Sequence, residues 1–415
     1  MKPTPAANGA EAAASNRAVW IMLLALASAF SLSQAWRTVP AIMAVPLQGE
    51  WQLSPRQLGL FAGAFHFAFG LMQFAMGIGI DLHGVRRTVL TAFPIAIAGS
   101  ALAATAGSYE MLLAAQVLIG IGCAPAFLGC TVFIARHFPA SRFAAVSGLT
   151  LGLGGIGLLM TGTPLASLIA ASSWRVGFGV LGGMAVLAWL LVFWLVHEPA
   201  LPGGRAARES IREALGKFAA LVALPHTLGI VLLAGVGYAS FISLRGLWLG
   251  PMLVGREGFS LVQSGHVALA MSVASLFGPP LFGRLDPGPL SRRRWIVGFT
   301  LLAATLFAAF ALIDSTLVNV AGPVVIGLMS GYLVLQYADV RSAYPAELTG
   351  RAMAVFTMAM FLGVALMQWF TGVVASAATS WGIEPFAAVF ASMSALLLAG
   401  AAAFVRLPAP GNAAR

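Results

Sequence analysis

Two arginines set the chemical question. Arg37 interrupts an apolar stretch that runs from Ala18 to Trp36 and resumes from Thr38 to Leu47, and Arg245 interrupts another between Thr227 and Val254. An arginine within a lipid-spanning segment costs about 2.5 to 3.5 kcal/mol on insertion scales, so it faces a watery cavity or a partner. No Asp or Glu lies inside the first six apolar stretches to neutralise Arg37. Two unneutralised guanidiniums turned toward one cavity would clamp an anion, because their donor forks match carboxylate or phosphate oxygens. The competing reading lets both snorkel to headgroups at the outer ends of their helices. Ser33 lies four residues before Arg37 and Tyr238 seven before Arg245, each on its arginine's helix face. Tyr332 and Gln336 share a face of a later helix and Gln368 lies in the next; each lines the cavity or bonds helix to helix. His66, among Phe65, Phe67 and Phe69, either loads a coupling proton near neutral pH or packs with a hydrogen bond.

Such residues need a bilayer to make them meaningful. Of 415 residues, 60% are hydrophobic and 9% charged, with a mean hydropathy of +0.92. This composition excludes a soluble enzyme, a nucleic-acid binder and a secreted disulfide scaffold. Apolar runs bounded by charge, Pro and Gly place helices at roughly 18–46, 55–80, 88–106, 110–135, 143–171 and 175–196. The series resumes at roughly 224–254, 260–284, 295–314, 317–340, 352–378 and 384–405. The expectation is an all-α membrane protein with twelve transmembrane helices in two pseudo-symmetric six-helix bundles. Residues 1–17 form a disordered cytoplasmic extension, 18–196 the first bundle, 197–223 a cytoplasmic linker with an amphipathic helix, 224–406 the second bundle and 407–415 a cytoplasmic tail. The first apolar run continues to Leu47, so it reads as a span and not as a cleaved leader. Of the 23 Lys and Arg, eighteen fall on the side of both termini; Arg56, Arg175 and Arg256 fall on the other, leaving Arg37 and Arg245 between. That asymmetry puts both ends in the cytoplasm and accounts for the net charge of +10 without nucleic acid.

The halves look like copies: Asp81 and Asp286, Arg87 and Arg292, and Arg136 and Arg341 are each spaced by about 205 residues. A duplicated six-helix unit places the substrate path on the pseudo-symmetry axis. The loop after the second helix carries Gly77, Asp81, Gly84, Arg86 and Arg87, spaced as in the signature loop of the major facilitator superfamily, which it resembles. The second copy keeps Asp286, Gly288 and Arg292 to Arg294 but has Phe282 in place of the first Gly. The resemblance implies a conformational gating role for this loop, extended by the repeat to Arg136, Asp286 and Arg341. Physically, Gly77 permits close helix approach, Gly84 suits a tight turn, Asp81 caps or pairs with a neighbouring helix end, and Arg86 and Arg87 anchor the cytoplasmic face. Arg37 followed by Ala41, Ala44 and Pro46, and Arg245 followed by Trp248 and Pro251, resemble the organic-anion and organophosphate-transporting branches, which hold the substrate between arginines of the first and seventh helices. Gln73, a substrate-binding candidate, stands where some of those relatives carry a Lys in the second helix, which counts against phosphate esters and leaves monocarboxylates and other small organic anions open.

The sequence thus points to a secondary active transporter that moves a small organic anion across the inner membrane by rocking two bundles around a central site. Its expected partners are the anion, the lipid bilayer and a coupling proton or counter-anion, and it is expected to be a monomer. No enzymatic activity, cofactor or metal is expected, since no Walker loop, metalloprotease helix or serine nucleophile elbow occurs. Met72 and Met76 read as gap filling, because paired arginines would repel a cation. Two other uses of the same fold stay open: a membrane sensor that binds the anion without net transport, and a drug or metabolite efflux carrier.

Overall fold

The computed structural model describes residues 5–198, 216, 221, 223–344 and 346–407. The described residues contain twelve helices long and apolar enough to cross a membrane. The first six are α1 (Arg17–Trp51), α2 (Pro55–Ile80), α3 (Leu82–Ala104), α4 (Tyr109–His137), α5 (Ala145–Ala171) and α6 (Trp174–Leu195). The second six are α7 (His226–Gly255), α8 (Leu261–Arg284), α9 (Pro289–Leu312), α10 (Thr316–Ala343), α11 (Arg351–Ser380) and α12 (Pro385–Arg406). An even number of crossings brings Arg17 and Arg406 to one side, the terminal face; the other is the distal face. Helix α1 carries back to Pro5, into the stretch where the sequence predicts disorder. Most of the expected linker, 199–215, lies outside the described residues, as do residues 408–415 of the tail.

Local chemistry repeats between the halves. Helix α2 starts with a capping box in which Ser54 and Gln57 satisfy each other's backbone donors, and α8 starts with the same device at Ser260 and Gln263. The turns into α3 and α9 are made by Gly84 (φ 83°, ψ 167°) and Gly288 (φ 82°, ψ 172°). Only glycine tolerates that region. The expected loop from Gly77 is in fact helical up to this turn, so the chain reverses at one residue. Gly77 itself makes no tight approach, since a Cβ there would first meet Leu128 at 4.0 Å. Gly77→Ala should therefore leave thermal stability unchanged, whereas Gly84→Ala should cost about 1–3 kcal/mol, a contrast that a melting curve in detergent reads directly.

Several spans depart from regular α geometry. Helix α1 runs through Pro40 without a break, but α4 is interrupted at Ala124 before Pro125, and α10 tightens to a 3₁₀ turn at Ser330–Tyr332. In α7 the residues Leu244–Trp248 form a π turn, closed by Leu249 N–H bonding back to the Leu244 carbonyl. Such turns are rare and gather at functional sites.

The bundles meet through glycine over the distal half of the spans. Gly59 abuts the Gln368 carbonyl, and a Cβ on Gly63 would lie 2.9 Å from the Ala365 carbonyl. A Cβ on Gly372 would lie 2.7 Å from the Pro55 carbonyl, so α2 and α11 touch backbone to backbone along this seam. On the other side of the axis, Gly162 and Gly265 bring α5 against α8, and Thr163 shares a 2.8 Å hydrogen bond with His266. At the centre, Gly250 abuts the Ala41 carbonyl, and a Cβ on Gly246 would lie 2.9 Å from the Arg37 carbonyl oxygen.

Candidate functional site

Helices α1 and α7 cross where the two arginines stand, Arg37 against Gly246, so the side chains leave nearly the same point in different directions. Both are buried, Arg37 at 4% exposure and Arg245 at 0%, which is not the placement of snorkelling residues. Among the described residues neither has a carboxylate within ion-pair reach.

Arg37 turns toward the α2–α11 seam. Its Cζ lies 4.5 Å from the centre of the Phe69 ring and 4.7 Å from that of Phe361, and the two rings are 4.5 Å apart. The cation therefore sits over an aromatic pair contributed by both bundles. Tyr238 packs against the same Phe361 at 5.5 Å and brings its hydroxyl to the guanidinium. Nε and Nη2 of Arg37 have no partner. These two nitrogens form one edge of the fork. Arg292 shows what that edge does when supplied, holding Asp286 through Nε at 3.0 Å and 3.1 Å and through Nη2 at 2.7 Å. In Arg37 the same bidentate edge is buried and vacant.

Arg245 turns the other way, between α5 and α8. Its Nε donates to Ser272 Oγ at 2.9 Å, and its Nη2 donates to the Leu158 carbonyl at 3.0 Å and to Thr161 Oγ1 at 3.2 Å. Only Nη1 is without a partner. Thr161 in turn shares a 2.6 Å hydrogen bond with Thr38, the residue after Arg37. The two arginines are thus unequal: one offers an open edge, the other is a strut across the bundle interface with one nitrogen to spare.

The remaining sequence candidates separate in the same way. His66 and Gln368 are fully buried close to Arg37, and His66 Nε2 and both polar atoms of the Gln368 amide are unpartnered. Ser33, buried and unpartnered on α1, lies beside Cys123. Tyr332 and Gln336 both pack on Gly237, but inside the second bundle: Tyr332 accepts a 3.3 Å bond from Thr300, and Gln336 lines a void of about 10 Å³ with Asp339. Gln73 donates to the Ala124 carbonyl at 3.1 Å, so its amide serves the break in α4. A cavity of about 420 Å³ opens near the distal ends between α1, α2, α7, α11 and α12, with Trp248 and Leu58 on its wall. Neither arginine lines it.

The conformational residues expected on the terminal face gather around an acid that the sequence reading missed. Glu198, just past α6, accepts the Arg86 backbone N–H at 2.9 Å and stands 3.8 Å from Arg136. A Cβ on Gly84 would come within 2.8 Å of its carboxylate. Arg86 also donates to the Phe193 carbonyl at 2.8 Å. The turn after α2 is thereby tied to the ends of α4 and α6. The second bundle is wired differently. Asp286 accepts from Gly288 N–H at 3.1 Å and from Arg292, whose guanidinium holds the Asp286 carboxyl below its ordinary value and so charged at neutral pH. Arg293 stands 3.4 Å from Asp339, while Arg341 is exposed, as is Arg87. The Asp81 side chain lies outside the described residues. Glu198→Gln should slow turnover about fivefold or more while ligand affinity stays at the wild-type value, as initial uptake rates and equilibrium binding would report.

Phe361, Thr161, Ser272, the π turn and Glu198 do not figure in the sequence reading, and Phe69 figures there only as a neighbour of His66. Gly59 and Gly63 carried a usable signal, the four-residue spacing of close-packed membrane helices.

A family model described as Major Facilitator Superfamily matches residues 24–368. Over 282 residues the chain is 27% identical to the probable sulfoacetate transporter SauU of Cupriavidus necator, a match covering 64% of this chain and 65% of that protein. Over 178 residues it is 28% identical to the hexuronate transporter of Bacillus subtilis, covering 43% of this chain and 40% of that one. The matched stretch is thus under two thirds of either relative's length. Among solved structures, the nucleoside transporter NupG superposes with a TM-score of 0.74 at 18% identity, covering 94% of this chain and 98% of that one. A bacterial homolog of the human lysosomal transporter Spinster, in an inward-facing and unoccupied conformation, gives 0.67 at 20% identity over 94% and 95% of the two chains. At such identities the likeness is one of fold.

Proposed function

The chain belongs to the Major Facilitator Superfamily, and from that premise we propose that it is a secondary active transporter of a small organic anion, whose carboxylate is taken up by the open edge of Arg37. The observation that carries this reading is the pair of buried, unpartnered nitrogens Nε and Nη2 on a permanently charged side chain between the bundles. A buried cation left without a counter-charge is costly, and a bound anion removes that cost. The Phe69 and Phe361 rings pack against the guanidinium, at 4.5 Å and 4.7 Å from its Cζ, and leave Nε and Nη2 without a hydrogen-bond partner. Arg245 adds its single free nitrogen, and its bonds to Leu158 and Thr161 are the cross-bundle contacts that must break when the bundles rock.

In this reading the terminal face is cytoplasmic, following the excess of Lys and Arg there, and the membrane is the inner membrane of a bacterial cell. The glycine contacts hold the bundles together over the distal half of the spans, and in this reading the carrier works as a monomer. Among the described residues no buried carboxylate stands beside Arg37, and in this reading coupling falls to His66 or to a counter-anion exchanged at the same edge. The test is uptake of radiolabelled short carboxylates into proteoliposomes. Accumulation that Arg37→Gln removes supports transport; binding without accumulation replaces it with a sensor.

A further inference from the structure

Beside the open edge of Arg37 stand hydrogen-bonding groups that an anion alone cannot use. On α2, Gly59, Gly63, His66 and Gly70 recur at helical spacing, which puts His66 on the stripe facing α11, between the Gly63–Ala365 and Gly70–Phe361 contacts. Its Nδ1 lies 3.3 Å from the Ala62 carbonyl oxygen. A carbonyl only accepts, so Nδ1 carries the proton and, in the neutral ring, Nε2 is an acceptor. That acceptor is buried and unpartnered. From the other bundle, Gln368 reaches the same place: its Nε2 would lie 3.6 Å from a Cβ on Gly246, at the crossing of α1 and α7. Gln368 stands within reach of the His66 ring, and neither its amide oxygen nor its amide nitrogen has a well-aligned hydrogen-bond partner.

We propose that His66 and Gln368 form a second subsite, shared between the bundles, that reads a hydroxyl group on the anion held by Arg37, so that the preferred substrates are hydroxylated carboxylates. This rests on the assignment of Arg37 as the carboxylate-binding group and narrows it. Arg37 supplies donors only, which any carboxylate, sulfonate or phosphate satisfies. His66 Nε2 and Gln368 Oε1 are acceptors; even if the Gln368 amide N–H turns to His66, Gln368 Oε1 still calls for a donor, which a ligand O–H or N–H group supplies. A bare anion bound at Arg37 brings no such donor, the situation in which a polar site rejects an analogue lacking the matching group. Because the two residues belong to different bundles, a hydroxyl bridging them also draws α2 and α11 together, so the group that is recognised contributes to closing the seam.

The experiment compares matched acids on purified full-length protein by titration calorimetry: glycerate against propionate, and gluconate against hexanoate, with wild type, His66→Phe, Gln368→Leu and Arg37→Gln. The expected result is that wild type prefers the hydroxylated acid of a pair by about tenfold or more, and that the ratio falls toward one in His66→Phe and in Gln368→Leu. Equal affinity for both acids of each pair in wild type, or no binding of any of the four, overturns the proposal, as does a ratio that both variants preserve. Failure of the underlying reading has a separate mark, binding of the acids that survives in Arg37→Gln. The wild-type comparison requires no variant to fold.

Discussion

Replacing Arg37 by glutamine is expected to abolish anion binding while leaving the protein at least as stable as wild type. The open edge supplies two charge-assisted hydrogen bonds, each worth about 1.5–3 kcal/mol. Their loss weakens binding by about a hundredfold or more. Stability should not fall, because the native guanidinium is 4% exposed with no carboxylate partner among the described residues, and removing an uncompensated buried charge relieves a cost. Arg37→Lys is the sharper variant: it keeps the charge but has no planar fork, so it should recover little of the affinity. Arg245→Gln should act differently, since Nε and Nη2 of Arg245 are already bonded to Ser272, Leu158 and Thr161. Its loss should impair the coupling between bundles more than the grip on the ligand. Equilibrium binding and melting temperature for the three variants separate these roles.

The second large effect is expected at the α2–α11 seam. Gly63→Leu forces a side chain against the Ala365 carbonyl, where even a Cβ would lie at 2.9 Å, and backbone on both sides leaves nothing flexible to give way. The clash lies between the bundles and not within either one, so the predicted outcome is a protein that inserts normally but cannot bring α2 and α11 together. Uptake should fall below about a tenth of wild type, as expected when one of two alternating states is removed. A cysteine placed by Thr379→Cys, on the wall of the distal cavity, should then react faster with a water-soluble thiol reagent. Gly183→Leu is the control, because a Cβ at that exposed position on α6 meets nothing within 4 Å. It should transport normally.

How far these features could be read in the sequence follows from what sets each one. The twelve spans and their division six and six were legible because hydropathy and the length of a bilayer crossing decide them, with little help from tertiary contacts. Arg37 and Arg245 were legible by type, since a charge inside a span is conspicuous wherever its side chain points. Their difference was not. Arg245 is held by a carbonyl, Leu158, and two hydroxyls, Thr161 and Ser272, and a carbonyl acceptor leaves no mark in the sequence. The π turn that aims Arg245 is equally silent, because Leu244 to Trp248 contains no residue that demands it. Tyr332 and Gln336 share a helix face as the spacing says, but that face turns into the second bundle, a rotation that periodicity alone does not determine. Glu198 escaped notice because it follows α6 in a stretch that reads as linker, and its importance comes from the turn at Gly84, over a hundred residues away in the chain. Gln73 shows the converse: a polar residue in a span is as readily a partner for a broken helix as for a ligand, and spacing does not say which.

A structure of the protein with a bound hydroxy acid tests the central claim most directly. The account predicts carboxylate oxygens within hydrogen-bonding distance of both Nε and Nη2 of Arg37, in the arrangement that Asp286 adopts on Arg292. A carboxylate seated elsewhere, with that edge of Arg37 still empty, would contradict it.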